Sequence, residues 1–203
     1  MKDFIRTSAY RIRNRLVSYS DWRRRGYAAP SPHHIKQACV IRNGFPNATW
    51  VETGTYLGDT TRLLSKHGSK VYSIEPEPTL FANAKRRFSN VANVEIINGT
   101  SESVFPSLLP TISGDVNFWL DGHYSGGITF QGTQTTPIVE ELKVIAENRG
   151  RFGKLCVQVD DIRLFNPDLP EGAGYPPVDI LVQWANEQKL GWHIEHDIFV
   201  ARG

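Results

Sequence analysis

Cysteine is scarce in this sequence, with two residues among 203, and long apolar runs are missing. Cys39 and Cys156 lie far apart in apolar surroundings, so we expect buried free thiols in a reducing compartment rather than a disulfide or a metal-thiolate site. No apolar stretch is long enough to cross a membrane, and the N-terminus lacks the apolar core and cleavage pattern of a signal peptide. These absences together predict a cytoplasmic protein.

A strong net charge is also missing, since the formal net charge is +2. A balance so close to neutral gives no general case for nucleic acid, and the sequence therefore predicts that nucleic acid is not a partner. The charge is uneven, because residues 1–25 carry eight basic and two acidic side chains at the spacing of an amphipathic helix. We interpret this helix as packing over the cleft of its own domain or of a second copy in a homo-oligomer. Peripheral contact with an anionic membrane is the alternative.

Strand and helix patterns alternate beyond a Gly- and Pro-containing linker. We expect residues 1–30 to form the basic helix and linker, and residues 31–203 to form one domain. The predicted strands are 49–52, 70–75, 94–98, 116–120, 154–159, 192–196 and 198–202. Such alternation predicts an α/β fold: a seven-stranded, mainly parallel, Rossmann-like sheet with helices on both faces. The last two strands are expected to form an antiparallel hairpin.

The most informative motif is W-V-E-T-G-T-Y-L-G at residues 50–58. A strand that ends at a glycine turn before a helix is typical of nucleotide-binding sites, because the backbone can approach the ligand closely. Dinucleotide sites use G-x-G-x-x-G, whereas Gly54 and Gly58 form G-x-x-x-G with Glu52 two residues before. This pattern resembles the first motif of class I S-adenosylmethionine (SAM) methyltransferases, in which the loop wraps the methionine half of the cofactor.

The resemblance implies a cofactor site along the ends of successive strands. An acid about 20 residues beyond the glycines is placed to accept hydrogen bonds from a ribose diol, and the turn after the third strand would lie by the adenine. The implied cofactor residues are Glu52, Gly54, Thr55, Tyr56, Gly58, Thr60, Glu75, Gly99, Thr100, Ser101 and Asp121. Each acid alone has a plainer interpretation, Glu52 as a helix cap and Glu75 as a solvated strand end, but their order favours a SAM site.

Carboxylates also follow the fourth and fifth strands, in D-G-H-Y-S at residues 121–125 and in Asp160-Asp161. This combination resembles the metal-dependent sugar O-methyltransferases of the macrocin and novobiocin type. The resemblance implies Asp121, Asp160 and Asp161 as ligands of Mg²⁺, and His123 as general base beside a catalytic Asp121. As an alternative, the paired aspartates cap the next segment. Adjacent side chains of an extended chain point opposite ways, so a shared ion requires a bend there.

The sequence therefore predicts a SAM-dependent methyltransferase that acts on a hydroxyl of a sugar, a glycan or another small molecule, with a metal lowering the pKa of the hydroxyl. One alternative is a nicotinamide-dependent oxidoreductase, which the glycine spacing and the terminal hairpin disfavour. The other is a non-catalytic interaction module with a SAM fold, anchored by its basic helix.

Overall fold

The computed structural model describes residues 16–121, 136–172 and 174–203. The first part of the basic helix predicted in residues 1–25 therefore lies outside the described residues. So does the loop 122–135, which contains His123, the predicted general base.

One seven-stranded sheet organises the chain, in the order β3-β2-β1-β4-β5-β7-β6. Strands β1 to β5 are parallel, and β7 runs antiparallel to both β5 and β6. The strands are β1 Thr49–Thr53, β2 Lys70–Glu75, β3 Val94–Asn98, β4 Gly114–Leu120, β5 Phe152–Val159, β6 Gly191–Glu195 and β7 Ile198–Arg202. This arrangement confirms the predicted fold, including the C-terminal antiparallel hairpin.

Six α-helices of the described chain connect or flank these strands. They are α1 His33–Asn43, α2 Asp59–Leu64, α3 Pro78–Arg87, α4 Ser101–Leu108, α5 Ile138–Glu147 and α6 Asp179–Glu187. Residues 16–24 are also helical, and short 3₁₀ turns occur at Leu109–Thr111, Arg149–Arg151, Ile162–Leu164 and Pro170–Gly172. Capping explains one helix start, because the Glu77 carboxylate accepts a 2.6 Å hydrogen bond from the backbone N–H of Leu80 at the beginning of α3.

The sheet separates two main apolar cores. Helices α4, α5 and α6 pack on one face around Phe118 and Val157. Helices α1 and α2 pack on the other face around Trp50 and Trp119. Because consecutive residues of a strand point to opposite faces, the neighbours Phe118 and Trp119 belong to different cores. Central strands buried on both faces read as nearly continuous apolar runs, and this property made β4 and β5 recognisable in the sequence.

The N-terminal helical segment packs against the turn between β6 and β7. Trp22 is buried, and its ring contacts Tyr27 and His196 edge to face, with centroids 5.0 and 5.7 Å apart. The division at residue 30 into an appendage and a main domain stays a prediction. None of the helices in the described ranges has both the length and the apolar character needed to cross a membrane.

Both cysteines are buried free thiols, as predicted. Cys39 and Cys156 belong to the same apolar core, and burial raises the pKa of each thiol to about 12. Thiols protonated to this degree are poor nucleophiles and poor metal ligands, so these residues serve packing.

Candidate functional site

The parallel strands of the sheet end along one edge, where the chain order reverses. Strand β1 pairs with β2 on one side and with β4 on the other, so that Thr53 lies level with Ile74 and Leu120. Ligands of open α/β sheets bind outside the carboxyl ends of the strands at such a switch point. The residues that follow β1, β2, β4 and β5 therefore surround one crevice.

The loop after β1 has the conformation that its glycines predict. Gly54 and Gly58 have φ of +85° and +75°, values that L-residues rarely adopt. A Cβ atom at Gly58 would lie 2.7 Å from Cε2 of Phe88, so a larger residue does not fit. Tyr56 also has a positive φ of +49°, and its N–H donates a 2.8 Å hydrogen bond to Glu75 Oε2. The loop is thus drawn toward the end of β2.

Glu52 lies beneath this loop and is fully buried. Its Oε2 accepts hydrogen bonds from Thr61 Oγ1 at 2.5 Å and Ser73 Oγ at 2.6 Å. Its Oε1 has no hydrogen-bond partner among the residues that the structure describes. Burial raises the pKa of Glu52 to about 7, although the two hydroxyls oppose this rise. Because hydroxyls hold the carboxyl group, the plainer interpretation of Glu52 as a helix cap is excluded.

Glu75 ends β2 and is 3% exposed, so it is not a solvated strand end. Its two oxygens accept backbone hydrogen bonds from Tyr56 and, at 3.0 Å, from Glu77. Burial raises the pKa of Glu75, and the two N–H groups partly offset this rise. Glu77, the neighbouring acid, is occupied as the cap of α3. Of the two acids, Glu75 is therefore the one that is held against the glycine loop, through its hydrogen bond with the Tyr56 N–H.

The remaining predicted cofactor residues lie around the same crevice, with different exposure of their side chains. The Thr55 hydroxyl pairs with Ser73 Oγ at 2.6 Å. Its backbone holds the loop, since the Thr55 N–H donates to the Ile74 carbonyl oxygen at 3.3 Å and the Thr55 carbonyl oxygen accepts from Gly58 N–H at 2.8 Å. After β3, Gly99 has φ of +146°, and a Cβ atom there would lie 2.9 Å from Val104 Cγ2. Thr100 then precedes α4, whose first residue Ser101 is buried.

Asp121 follows β4 at the centre of this edge. Its N–H donates to the Thr53 carbonyl oxygen at 3.2 Å, which continues the β1–β4 pairing. Burial of its carboxyl group, together with repulsion from Asp160 and Asp161, raises the pKa of Asp121 well above its ordinary value. Asp121 and Thr60 line a pocket against α1.

Asp160 and Asp161 follow β5, and the structure supplies the bend that a shared cation requires. Asp161 has a left-handed backbone with φ of +54°. Oδ1 of Asp160 and Oδ1 of Asp161 therefore both reach Lys36 Nζ, at 2.5 and 2.6 Å. Burial lowers the pKa of Lys36, but attraction by the two carboxylates outweighs it and the pKa is raised overall. Burial raises the pKa of Asp160, and Lys36 opposes that rise.

Two more residues complete this charged cluster, which we call the Lys36 cluster: Lys36, Asp160, Asp161, Arg163 and Asp197. The Arg163 guanidinium donates to Asp161 at 2.6 Å and also to Asp197, and the Arg163 N–H donates to Asp197 Oδ1 at 2.9 Å. Asp197 belongs to the turn between β6 and β7, so the cluster connects β5 to the hairpin. Neither interpretation of the paired aspartates in the sequence included these cationic partners.

Lys36 was missed although the sequence carries a signal for it. The side of α1 that faces the sheet is the stripe Lys36, Cys39, Val40 and Asn43, all buried. A lysine on an otherwise apolar or small stripe at helical spacing indicates a buried charge that needs a partner. His33 and Gln37 of the same helix line the pocket beside Asp121 and Asp160.

The described residues do not fit the predicted magnesium site. No group of three or more His, Cys, Asp or Glu side chains in those parts of the chain is arranged to hold a metal ion. Between Asp160 and Asp161, the position expected for the ion holds the Lys36 ammonium instead. The hypothesis that Asp121, Asp160 and Asp161 bind Mg²⁺ is therefore unsupported, and we derive no step through a metal.

The end of β1 fits SAM better, because the glycine loop lies there at the switch point above Glu52, whose buried Oε1 has no hydrogen-bond partner in the described ranges. No family model matches the sequence. A probable ribosomal RNA small subunit methyltransferase A of Methanosarcina acetivorans is 32% identical over 95 residues, which cover 43% of this chain and 35% of the relative. The chain thus matches about a third of that protein's length.

Solved structures show the same fold at low sequence identity. A methyltransferase candidate from Streptococcus mutans, crystallised with SAH, has a TM-score of 0.51 at 16% identity, covering 86% of this chain and 98% of that one. The 23S rRNA methyltransferase ErmE has a TM-score of 0.52 at 13% identity, covering 84% and 67%. The chain therefore has the class I SAM-dependent methyltransferase fold.

These comparisons correct two expectations. None of the proteins above is described as a sugar O-methyltransferase, so only the coarser resemblance to class I methyltransferases is confirmed. The prediction that nucleic acid is not a partner is wrong, since the relative in sequence is by its description a ribosomal RNA methyltransferase. The inference failed because a net charge of +2 averages over the chain and says nothing about a local basic segment such as residues 1–25.

Proposed function

We propose that this chain is a SAM-dependent methyltransferase with RNA as its acceptor. The observation that carries the first part is Glu52, a fully buried acid whose Oε1 has no hydrogen-bond partner among the described residues. Buried polar atoms are nearly always paired, and exceptions require an explanation such as an absent ligand. Because Glu52 is closed to solvent beneath the glycine loop, a cationic ligand bound at this loop would stabilise its carboxylate by charge rather than by direct contact.

The charges of the site support a cationic cofactor. Glu52, Glu75 and Asp121 all have raised pKa values, with burial as the largest cause. SAM carries an ammonium and a sulfonium group, and a nearby positive charge favours the ionised form of each carboxyl group. Binding of SAM is therefore expected to be accompanied by loss of protons from this site near neutral pH.

The remaining contacts follow from the positions of the strand ends. Glu75 would accept hydrogen bonds from the ribose hydroxyls, the loop Gly54–Gly58 would pass close to the methionine half, and residues Gly99–Ser101 would border the adenine. These assignments rest on the family resemblance and on the geometry of the crevice. The pocket beside Thr60 and Asp121 offers the neighbouring space for an acceptor.

When bound, SAM supplies a methyl group on a good leaving group, so the residues of the chain have mainly to align the acceptor and exclude water. Asp121, with its raised pKa, is placed to hold or accept a proton at the end of β4. His123, two residues further on, stays the predicted general base and lies outside the described residues.

The acceptor is proposed from the relative and from the charge of the N-terminal segment. The matched relative is described as a ribosomal RNA methyltransferase. Residues 1–25 carry eight basic and two acidic side chains, and the exposed Arg23 and Arg24 belong to this excess. Lys and Arg neutralise phosphates and release counterions, which gives RNA affinity without sequence readout. The D-G-H-Y-S motif implied a sugar hydroxyl as acceptor and a metal ion to activate it. The described residues do not support that metal site, so a sugar acceptor is no longer favoured.

Calorimetric titration with S-adenosylhomocysteine tests the cofactor. We expect micromolar binding to the wild-type protein and an affinity roughly 10- to 100-fold lower in Glu75→Gln, because a charged acceptor of hydrogen bonds is lost. Glu95→Gln is the matched control, since Glu95 is exposed and pairs with Lys70 at 2.9 Å. No binding to the wild type, or wild-type affinity in Glu75→Gln, would contradict the proposal and return the interaction module and the oxidoreductase to consideration.

Transfer of a tritiated methyl group from SAM tests the acceptor. The wild-type protein is expected to label RNA, and RNase treatment of the product is expected to release the label. A panel of sugars and glycans serves as the comparison. Labelling of a sugar and not of RNA would refute the RNA part while leaving the methyltransferase part intact.

A further inference from the structure

Lys36 is a charged residue on the buried face of a helix, where apolar side chains are the usual choice. It lies on the sheet-facing stripe of α1 and is 8% exposed. An isolated ammonium at such depth is strongly disfavoured unless carboxylates surround it. In this protein the carboxylates are those of Asp160 and Asp161, and Asp160 lies 124 residues from Lys36 in the sequence.

The arrangement around the Lys36 ammonium is that of ligands around a cation. Two carboxylate oxygens converge on Nζ at 2.5 and 2.6 Å, and Asp197 Oδ2 lies 3.7 Å away. Convergence depends on the left-handed backbone of Asp161, whose N–H also donates to Asp160 Oδ1 at 2.7 Å. Hard divalent cations bind through one or two such carboxylates and complete their shell with water. In this structure the cationic group between the two carboxylates is the Lys36 ammonium.

The Lys36 cluster also adjoins the proposed reaction site. Lys36 and Asp160 line the same pocket as Thr60 and Asp121, next to the glycine loop and to the end of β4. The orientation of Asp160 in this pocket is therefore set by a charge that the protein carries itself.

We propose that Lys36 is a built-in cation, which occupies the place of a divalent metal between Asp160 and Asp161 and makes methyl transfer independent of metal. Lys36 acts as a positioning residue, because it orients Asp160, which lines the acceptor pocket, together with the neighbouring Asp161. The catalytic part of this inference rests on the proposed function, whereas the ion-binding part does not.

Terbium luminescence tests the ion-binding part without cofactor or acceptor. Trp119 lines the same pocket and can sensitise a Tb³⁺ ion bound there. We expect Lys36→Ala to bind Tb³⁺ about tenfold or more tightly than the wild type, since two carboxylates lose their internal cation. The double variant Lys36→Ala/Asp161→Asn should lose this gain. Asn tolerates the left-handed backbone at position 161, so the fold of the turn is kept.

Equal Tb³⁺ affinity of the wild type and Lys36→Ala would overturn the proposal, as would a tight wild-type site that Asp161→Asn removes. Lys70→Ala is the matched control, because it removes an exposed lysine that pairs with Glu95. Circular dichroism of each variant establishes that the comparison is made between folded proteins.

Methyl transfer tests the catalytic part. Wild-type transfer is expected to be unchanged by EDTA, whereas Lys36→Ala should lose about tenfold or more and recover with Mn²⁺ or with ethylammonium. Inhibition of the wild type by EDTA, or a loss in Lys36→Ala that neither cation restores, would refute the positioning role. Absence of both transfer and S-adenosylhomocysteine binding in the wild type would instead refute the proposed function, and the terbium result would stand alone.

Discussion

The two ends of the crevice stabilise their carboxylates in different ways. At the β1–β2 end, Glu52 and Glu75 accept hydrogen bonds from hydroxyl and backbone N–H groups, which carry no net charge. At the β5 end, Asp160 and Asp161 face the cationic side chains of Lys36 and, for Asp161, of Arg163. Neutral donors orient a carboxylate and leave its charge uncompensated, whereas cations compensate it.

This difference indicates at which end of the crevice a positively charged ligand would be stabilised most. A cation that enters the β1–β2 end relieves buried negative charge, because the Glu52 carboxyl group beneath the loop is held by the neutral hydroxyls of Thr61 and Ser73. A cation that enters the β5 end must displace Lys36. The site is therefore polarised along the strand ends, with a cationic cofactor favoured on one side and an internally neutralised acidic cluster on the other.

Removing the cation from the β5 end should have the largest effect on the free energy of unfolding. We expect Lys36→Ala to lower the free energy of unfolding by about 3–5 kcal/mol, because it leaves the buried Asp160 without its ammonium partner, whereas Asp161 keeps Arg163. Lys70→Ala, which breaks an exposed pair, should change it by less than about 1 kcal/mol. Urea denaturation at pH 7 measures both. Similar values for the two variants would show that the Lys36 cluster is not compensated as described.

At the β1–β2 end, where no cation compensates the carboxyl groups, Glu52 should make the free energy of unfolding depend on pH. The pKa of Glu52 is about 7 in the folded protein and 4.5 in its ordinary state. Between these values the folded protein retains a proton that the unfolded chain has released, so the contribution of this group to stability falls as the pH rises from about 4.5 to 7. The shift corresponds to a loss on the order of 3 kcal/mol over that window.

Comparison with Glu52→Gln isolates this contribution, because Glu75, Asp121 and Asp160 also have raised pKa values and titrate in both proteins. Urea denaturation of the two proteins at a series of pH values gives the difference curve. We expect the variant to gain relative to the wild type as the pH rises. A flat difference curve would show that the pKa of Glu52 is the same in the folded protein and in the unfolded chain.

A smaller effect is expected from the glycine loop, with a control of equal backbone strain. Gly58 and Gly114 have φ of +75° and +85°, but a Cβ atom would meet Phe88 at Gly58 and open space at Gly114. Gly114→Ala should therefore cost about 1–2 kcal/mol from backbone strain alone. Gly58→Ala should cost more and should also weaken S-adenosylhomocysteine binding. Thermal denaturation with and without ligand separates the two effects, and equal shifts for both variants would contradict the steric argument.

Much of this fold was predictable because its signals are local. The strands at 70–75, 94–98 and 198–202 have the predicted bounds, and the ends of the other predicted strands differ by one or two residues. The glycine loop and Glu75 were identifiable for the same reason, as strand ends and turn residues close together in the sequence.

The charged pairing after β5 was not predictable in the same way. Asp160 and Asp161 were recognised as a functional pair, and the need for a bend between them followed from strand geometry. Their partner Lys36 lies 124 residues from Asp160, on a helix whose position is set by packing against β1 and β4. Lysine and Mg²⁺ both satisfy carboxylates, so the motif alone did not distinguish an internal cation from a metal.

The sequence by itself determined the order of strands and helices, the glycine turn and the acids at the strand ends, because each depends on residues within a few positions of one another. Only the tertiary structure decided which charges meet. Ion pairs and buried contacts join segments distant in sequence, and they depend on sheet order, helix placement and the left-handed turn at Asp161. The predicted Mg²⁺ site and the observed Lys36 cluster share the same aspartates for this reason.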